Sequence, residues 1–334
     1  MNKAHKLALR LQMFATQTTL LPDLSDEMKT YYADRLIDLA EPELVHDQFA
    51  QQVDIPQGSG KTVEMRKYDS LAKAMTPLTE GVTPSGNALK VTVITSTVDQ
   101  YGDYIELSDM LKLTAIDNNV VQALKLLGSQ AGRTLDSITR DVLAAGTNVI
   151  RVGGRLSRSL LTMQDTLKPI HFFMAAAQLE AMNAPKINGS YVAIIHPYAA
   201  FDLMTSQEWT DVHKYTDAGV TQIFNGEIGK IGNVRFVQTT EAKIWKDSTC
   251  PSDGGSGNLA VFGTLVVGAN AYGTTKVTGG GLQTIVKQLG AGQDPLNQRA
   301  TVGWKATKTA EILVEQYMVR IESLSSYSAS VNAN

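Results

Sequence analysis

The sequence predicts an α+β chain: an arm with a helix, a protruding β-ribbon, one long helix, a mixed α/β region and a returning strand. Three observations carry that expectation. Apolar and polar residues alternate on both sides of a turn-rich stretch between residues 53 and 112, the pattern of half-buried strands. A helical apolar period runs from about 117 to 145. From about 166 to 299 short β-branched runs interleave with helical stretches, and a second alternating run follows near the end.

The arm covers about residues 1–52. Ser25 is a candidate N-cap with Asp26 and Glu27 in the first turn, where negative charge suits the helix dipole. Met28, Tyr32, Leu36 and Leu39 follow at helical spacing, and Pro42 ends or kinks the helix. The ribbon covers 53–112. Val63 and Met65 share one face, with Thr62, Glu64 and Arg66 on the other. A tip containing Pro77, Gly81, Pro84, Ser85, Gly86 and Asn87 leads to Leu89, Val91 and Val93. A returning strand unbroken from 89 to 107 would be about 60 Å long at roughly 3.3 Å per residue.

The long helix carries Val120, Leu124, Leu127, Ala131, Leu135, Ile138 and Val142 at steps of four and three. Asp117 or Thr114 caps its start, Gly146 stands at its C-terminal end, and Gly128 and Gly132 interrupt it as a bend or a close approach. Beyond it, Asp165 or Thr166 opens a helix to about Met182, and Tyr191 to His196 reads as a buried strand. Pro197 begins a helix to about Met204. Val234 to Val237 and Leu259 to Val267 read as strands, and Asp247 to Asn258 as a flexible loop. One long strand is expected over about 300–322, then a polar, frayed tail.

Composition narrows the function classes. The chain has 334 residues, 43% apolar and 19% charged, with a formal net charge of −3. That is enough to build a sizeable core, and its charges do not gather into the basic patch of a dedicated nucleic-acid binder. The single cysteine, Cys250, rules out an intrachain disulfide and suits a reducing compartment. No apolar run reaches transmembrane length, and the basic stretch Met1 to Phe14 lacks the apolar core of a signal peptide.

Motifs that suggest chemistry are incomplete. Gly58-Ser59-Gly60-Lys61-Thr62 matches the end of a phosphate-binding loop, but Ile55 stands where the first glycine belongs and a strand follows where a helix is needed. Gly226, Gly229 and Gly232 lack dinucleotide-binding spacing and read as turns. His5, His46, His171, His196 and His213 show no metal-ligand spacing. Cys250 reads as an incidental thiol. Asp99, Asp103, Glu106 and Asp109 cluster in sequence, but alternation sends some to opposite faces. Arg151, Arg155 and Arg158 flank Gly153-Gly154 and suit a phosphate, a neighbour's acidic patch or a solvated loop. No catalytic, cofactor-binding or metal residue is assigned, and no enzyme activity is expected.

The order of segments resembles the Johnson fold of the major capsid proteins of tailed double-stranded DNA phages. The stretches Glu41 to Ala50, Pro77 to Pro84, Gln100 to Asp109, Leu135 to Leu143 and Gly303-Trp304-Lys305 are similar to the branch found in large podoviruses and related phages. The resemblance implies an N-terminal arm (1–52), an extended loop lying over a neighbour (53–112) and a peripheral domain (113–165 and 300–326) with a spine helix at about 117–145. It further implies an axial domain (166–299) and a polar tail (327–334). It also implies self-assembly into pentamers and hexamers of an icosahedral virion capsid. That capsid would be built in the host bacterial cytoplasm and would enclose double-stranded DNA without sequence-specific binding. Portal, scaffolding or decoration proteins are the implied partners; no cofactor and no membrane are.

A physical argument points the same way. A long two-stranded ribbon is marginally stable alone and its edges invite pairing with another chain. Heterologous contacts that close into rings generate shells. The competing expectations are a nanocompartment shell of the same fold, an α/β enzyme, which would need a complete motif, and a tail-structural protein, which would need repeats or a mostly β pattern.

Overall fold

The computed structural model describes residue 36 and residues 44–54, 61–68, 71, 73–83, 85–114, 119–209, 227–255, 257–276, 282–289, 296 and 298–334. The expected arm helix apart from Leu36, the glycines of the Gly58–Thr62 motif, the Asp117 cap, His5 and His213 lie outside the described residues.

A short 3-10 turn, His46–Phe49, precedes β1 (Gln51–Val53), β2 (Thr62–Tyr68), β3 (Val91–Thr97) and β4 (Asp99–Ser108). Helices α1 (Asp109–Thr114) and α2 (Asn119–Ala144) follow, then β5 (Val149–Arg151), α3 (Pro169–Ala181), β6 (Tyr191–Ile195) and α4 (Pro197–Thr205). The remaining strands are β7 (Glu227–Ile231), β8 (Val234–Gln238), β9 (Ile244–Trp245), β10 (Val261–Val267), β11 (Tyr272–Thr275) and β12 (Leu282–Lys287). Last come β13 (Arg299–Lys308), β14 (Ala310–Ile312) and β15 (Met318–Ser323).

The largest layer is a seven-stranded mixed sheet in the order β5-β15-β10-β6-β8-β7, with β9 added along β10. Its central strand β6 is apolar at every position because both faces are covered. Ala193 and Ile195 pack under α3 and α4 with Phe172, Leu179, Ala199 and Phe262. Val192 and Ile194 face the other way, against Leu143 from the end of α2, Tyr272 and the segment carrying Val45 and Phe49. Pro169 and Pro197 sit in the first turns of their helices, where the missing N–H costs nothing.

A second layer is the three-stranded antiparallel sheet β12-β13-β4, with β13 and β4 paired over ten residues. One face carries Leu107, Val302, Trp304 and Ala306. Against it lies the apolar stripe of α2, Leu124, Leu127, Ala131 and Leu135, joined by Leu36 and Leu44. At 1.5 Å per residue α2 is about 39 Å long. Gly128 and Gly132 are buried and the helix runs unbroken through both. A small sheet, β1-β11-β14, bridges the two layers, and the β2–β3 ribbon rests on it through Val63 and Met65.

Several expectations are corrected. The returning strand is not continuous: it breaks at Val98, so β3 pairs with β2 while β4 turns away to pair with β13. The strand expected over 300–322 is three strands with a 3-10 turn at Glu315–Tyr317, because β13 and β15 join different sheets. The helix after residue 165 starts at Pro169, since the Asp165 carboxylate is engaged by Arg155 at 3.0 Å and by the Thr162 amide at 2.8 Å. Gly146 is not a left-handed cap. It allows a close approach, because a Cβ there would lie 3.0 Å from Glu315 and 3.1 Å from Met318. Glu227–Ile231 is a strand rather than a turn, and Gly232, at φ +55°, makes the turn into β8. The tail is docked: Ala329 accepts the Ala260 amide at 2.8 Å, and the Asn334 side chain bonds Ala242 and Ile244 at 2.9 Å each.

Candidate functional site

The residues singled out for chemistry do not come together. Lys61 leads directly into β2, so no helix N-terminus follows the glycine-rich motif. Asp103 accepts from Gln130 of α2 at 2.6 Å, Asp109 bonds the Met110 amide, and Glu106 lies 4.0 Å from Arg299. Among the described residues no group of three His, Cys, Asp or Glu is placed to hold a metal ion. His171 accepts the Lys168 amide at 3.1 Å at the start of α3. Cys250 is buried, and burial raises its thiol pKa. Among the described residues no helix is long and apolar enough to cross a membrane.

Arg151 and Arg158 are half-buried and paired within the chain. Both bind the buried Glu322, at 3.1 and 2.7 Å, and Arg320 binds it at 3.0 Å. Burial pushes the Glu322 carboxyl up. The guanidiniums of Arg158, Arg320 and Arg151 outweigh that and hold its pKa below the ordinary value. Arg158 also stacks 4.0 Å from the centre of the Trp245 ring. Arg320 reaches the last turn of α2, donating to the Ala144 carbonyl and to that of Gly146 at 2.8 Å. A cation at that end satisfies orphan carbonyls and complements the helix dipole. The long helix is therefore tied to β15, beside the edge strand β5 of the seven-stranded sheet.

A second buried polar cluster fixes the base of the arm. His46 Nδ1 and backbone N–H both reach the Asp136 carboxylate, at 2.6 and 2.7 Å. Asp47 accepts the Thr139 hydroxyl at 2.7 Å and the Lys308 ammonium. The Tyr272 hydroxyl donates to the His46 carbonyl. Burial, then the carboxylates of Asp47 and Asp136, hold that phenol well above its ordinary pKa. Four separate elements meet here: the base of the arm, α2, β13 and β11. Sequence reading missed the cluster. Its one local signal is the row Gly128, Gly132, Asp136, Arg140 along α2, four residues apart, in which small residues give way to charged ones on a buried face.

Beyond this clasp the chain leaves a long surface uncovered. The base of the ribbon is seated on the body: Met65 is 1% exposed and Ser96 bonds Thr309 at 2.6 Å. Every described residue from Leu71 to Val93 is exposed, among them Met75 at 81% and Leu78 at 78%. Tyr68, Leu71, Val82, Leu89, Val91 and Val93 add to that apolar surface. Eight large apolar side chains are thus exposed along the ribbon.

Comparison with solved structures decides the fold. The capsid of Ralstonia phage GP4 is similar over 98% of this chain and 100% of its own, with a TM-score of 0.65 and 16% identity. This is the phage capsid (Johnson) fold. The capsid of Helicobacter pylori bacteriophage KHP30, described as acid stable, covers 84% of this chain and 88% of its own at TM-score 0.58 and 13% identity. A virus-like particle from Pyrococcus furiosus covers 88% and 99% at TM-score 0.51 and 10% identity. No protein-family model and no curated protein sequence matches the chain.

On the capsid fold, four of the five stretches that carried the resemblance converge. The part of Glu41 to Ala50 that is described meets Leu135 to Leu143 in the His46–Asp136 clasp. Gln100 to Asp109 pairs with Gly303-Trp304-Lys305 through the β4–β13 register. Glycine is required there: a Cβ on Gly102 would lie 2.6 Å from the Trp304 carbonyl oxygen, and one on Gly303 would lie 2.8 Å from Tyr104 Cβ. The described part of the fifth stretch, residues 77–83, is in the uncovered ribbon.

Proposed function

We propose that this chain is the structural subunit of an icosahedral phage capsid, assembling from identical copies into pentamers and hexamers around double-stranded DNA. The observation that carries this reading is the uncovered ribbon on a chain whose whole length has a capsid fold. Burying its eight large apolar side chains would be worth on the order of 10 kcal/mol gross, less the cost of association and ordering. Within this reading residues 1–52 are the arm, 53–112 the extended loop, 113–165 with 300–326 the peripheral domain, 166–299 the axial domain and 327–334 the tail. β4, at the end of 53–112, pairs with β13 beneath α2 and so joins the extended loop to the peripheral unit, and β15, set between β5 and β10, joins that unit to the axial one. Its role is structural rather than catalytic, and its site of action is the virion. Portal, scaffolding or decoration proteins would be its other partners.

Electron microscopy of the expressed chain tests this reading. Closed particles, tubes or sheets are expected; a monodisperse monomer at all concentrations would refute it. The likeness to the Pyrococcus particle keeps a second reading in play, a shell without a genome. Nucleic acid inside particles purified from infected cells supports the first; a protein cargo supports the second.

A further inference from the structure

His196 stands at the junction of β6 and α4 in extended geometry, and its ring Nδ1 accepts the Tyr198 amide at 3.2 Å, capping the helix. The ring is 7% exposed and lies 5.0 Å from both the Tyr198 and Phe262 rings. The tail is built onto the same place. Tyr327 stacks 4.7 Å from Tyr198, Ser325 donates to the Tyr198 carbonyl at 2.9 Å, and the Ser326 amide and hydroxyl both donate to Asp202 of α4. A proton on Nδ1 would turn the cap acceptor into a donor facing another donor. It would also place a cation at a helix N-terminus, where the dipole opposes it.

The groups around the ring offer no compensation. On α4 the titratable neighbours are Tyr198 and Asp202, on the tail Tyr327, and β10 presents Phe262; Asp202 is already engaged by Ser326. We propose that His196 is a proton-operated latch: protonating its ring removes the cap of α4 and frees residues 325–327 from that helix. This inference does not rest on the assembly reading.

The sign follows from linkage. Burial lowers the docked ring from 6.5 to about 4. Protons therefore bind the released state more tightly than the docked one. Docking is at full strength above about pH 6.5 and weakens as pH falls towards 4. Backbone hydrogen exchange in the full chain, referenced at each pH to the unstructured rate, reads the opening directly. Protection of the Ser326 and Tyr327 amides should fall roughly 15-fold between pH 6.5 and 5, since half of the released rings are already protonated at 6.5, while β10 keeps its protection. His196→Asn retains a good helix cap but does not titrate, so its tail protection should stay level across that window. Ser326→Ala should lower protection by a constant factor and keep the slope. A flat profile in the unaltered chain, an equal slope in His196→Asn, or loss of the slope in Ser326→Ala would each overturn the latch.

Discussion

Removing residues 71–88 and joining the ends with a short turn is expected to abolish shell formation while shifting the subunit melting temperature by no more than about 2 °C. The described residues removed contribute nothing to any core of the chain, since all of them are exposed. The β2–β3 ladder stays, with its seven residue pairs and the burial of Val63 and Met65 against Leu313 and Val314. Four of the eight large exposed apolar side chains would go: Leu71, Met75, Leu78 and Val82. Light scattering and calorimetry on the same preparation separate the two effects. Normal particles from the shortened chain would remove the ribbon from the account.

Lys308→Met is expected to destabilise the subunit by about 3–5 kcal/mol, the cost of leaving a buried charge without its partner. Lys308 is 1% exposed and its ammonium meets Asp47, whose other strong contact is the Thr139 hydroxyl. Methionine fills similar volume, so the loss would be electrostatic rather than a cavity. The double change Asp47→Asn with Lys308→Met should recover part of that loss, because the orphan charge goes with it. Denaturant unfolding of the four proteins measures the coupling, and additive losses would show that the pair does not act as a unit.

The fold was legible where local chemistry decides it. The 3.6-residue period of α2 and the unbroken apolar run of β6 announced themselves because a single covered stripe and two covered faces leave different patterns. The strand breaks at Val98 and at Glu315–Tyr317 were hidden, since alternation persists when a chain leaves one sheet for another. Pairing partners are not local: β4 meets β13 some 200 residues away, and no residue in β4 names it. The same distance concealed the clasp, where His46 finds Asp136 and Asp47 finds Lys308. Arg151 and Arg158 looked like surface charges because Glu322, which binds both, sits in the last strand. The tail read as frayed because its small polar residues carry no apolar period, yet their hydrogen bonds hold it in place.

The capsid reading depends on copies of this chain covering the ribbon that each leaves bare. Cross-linking assembled particles made from an equal mixture of ¹⁴N- and ¹⁵N-labelled chains tests it most directly. Lys73 and Lys90 are exposed in the ribbon. The account predicts that their cross-linked peptides carry mixed isotope pairs, which only contacts between separate chains produce. Links from Lys73 and Lys90 that join only peptides of the same isotope would contradict it, because the ribbon would then lie on its own subunit.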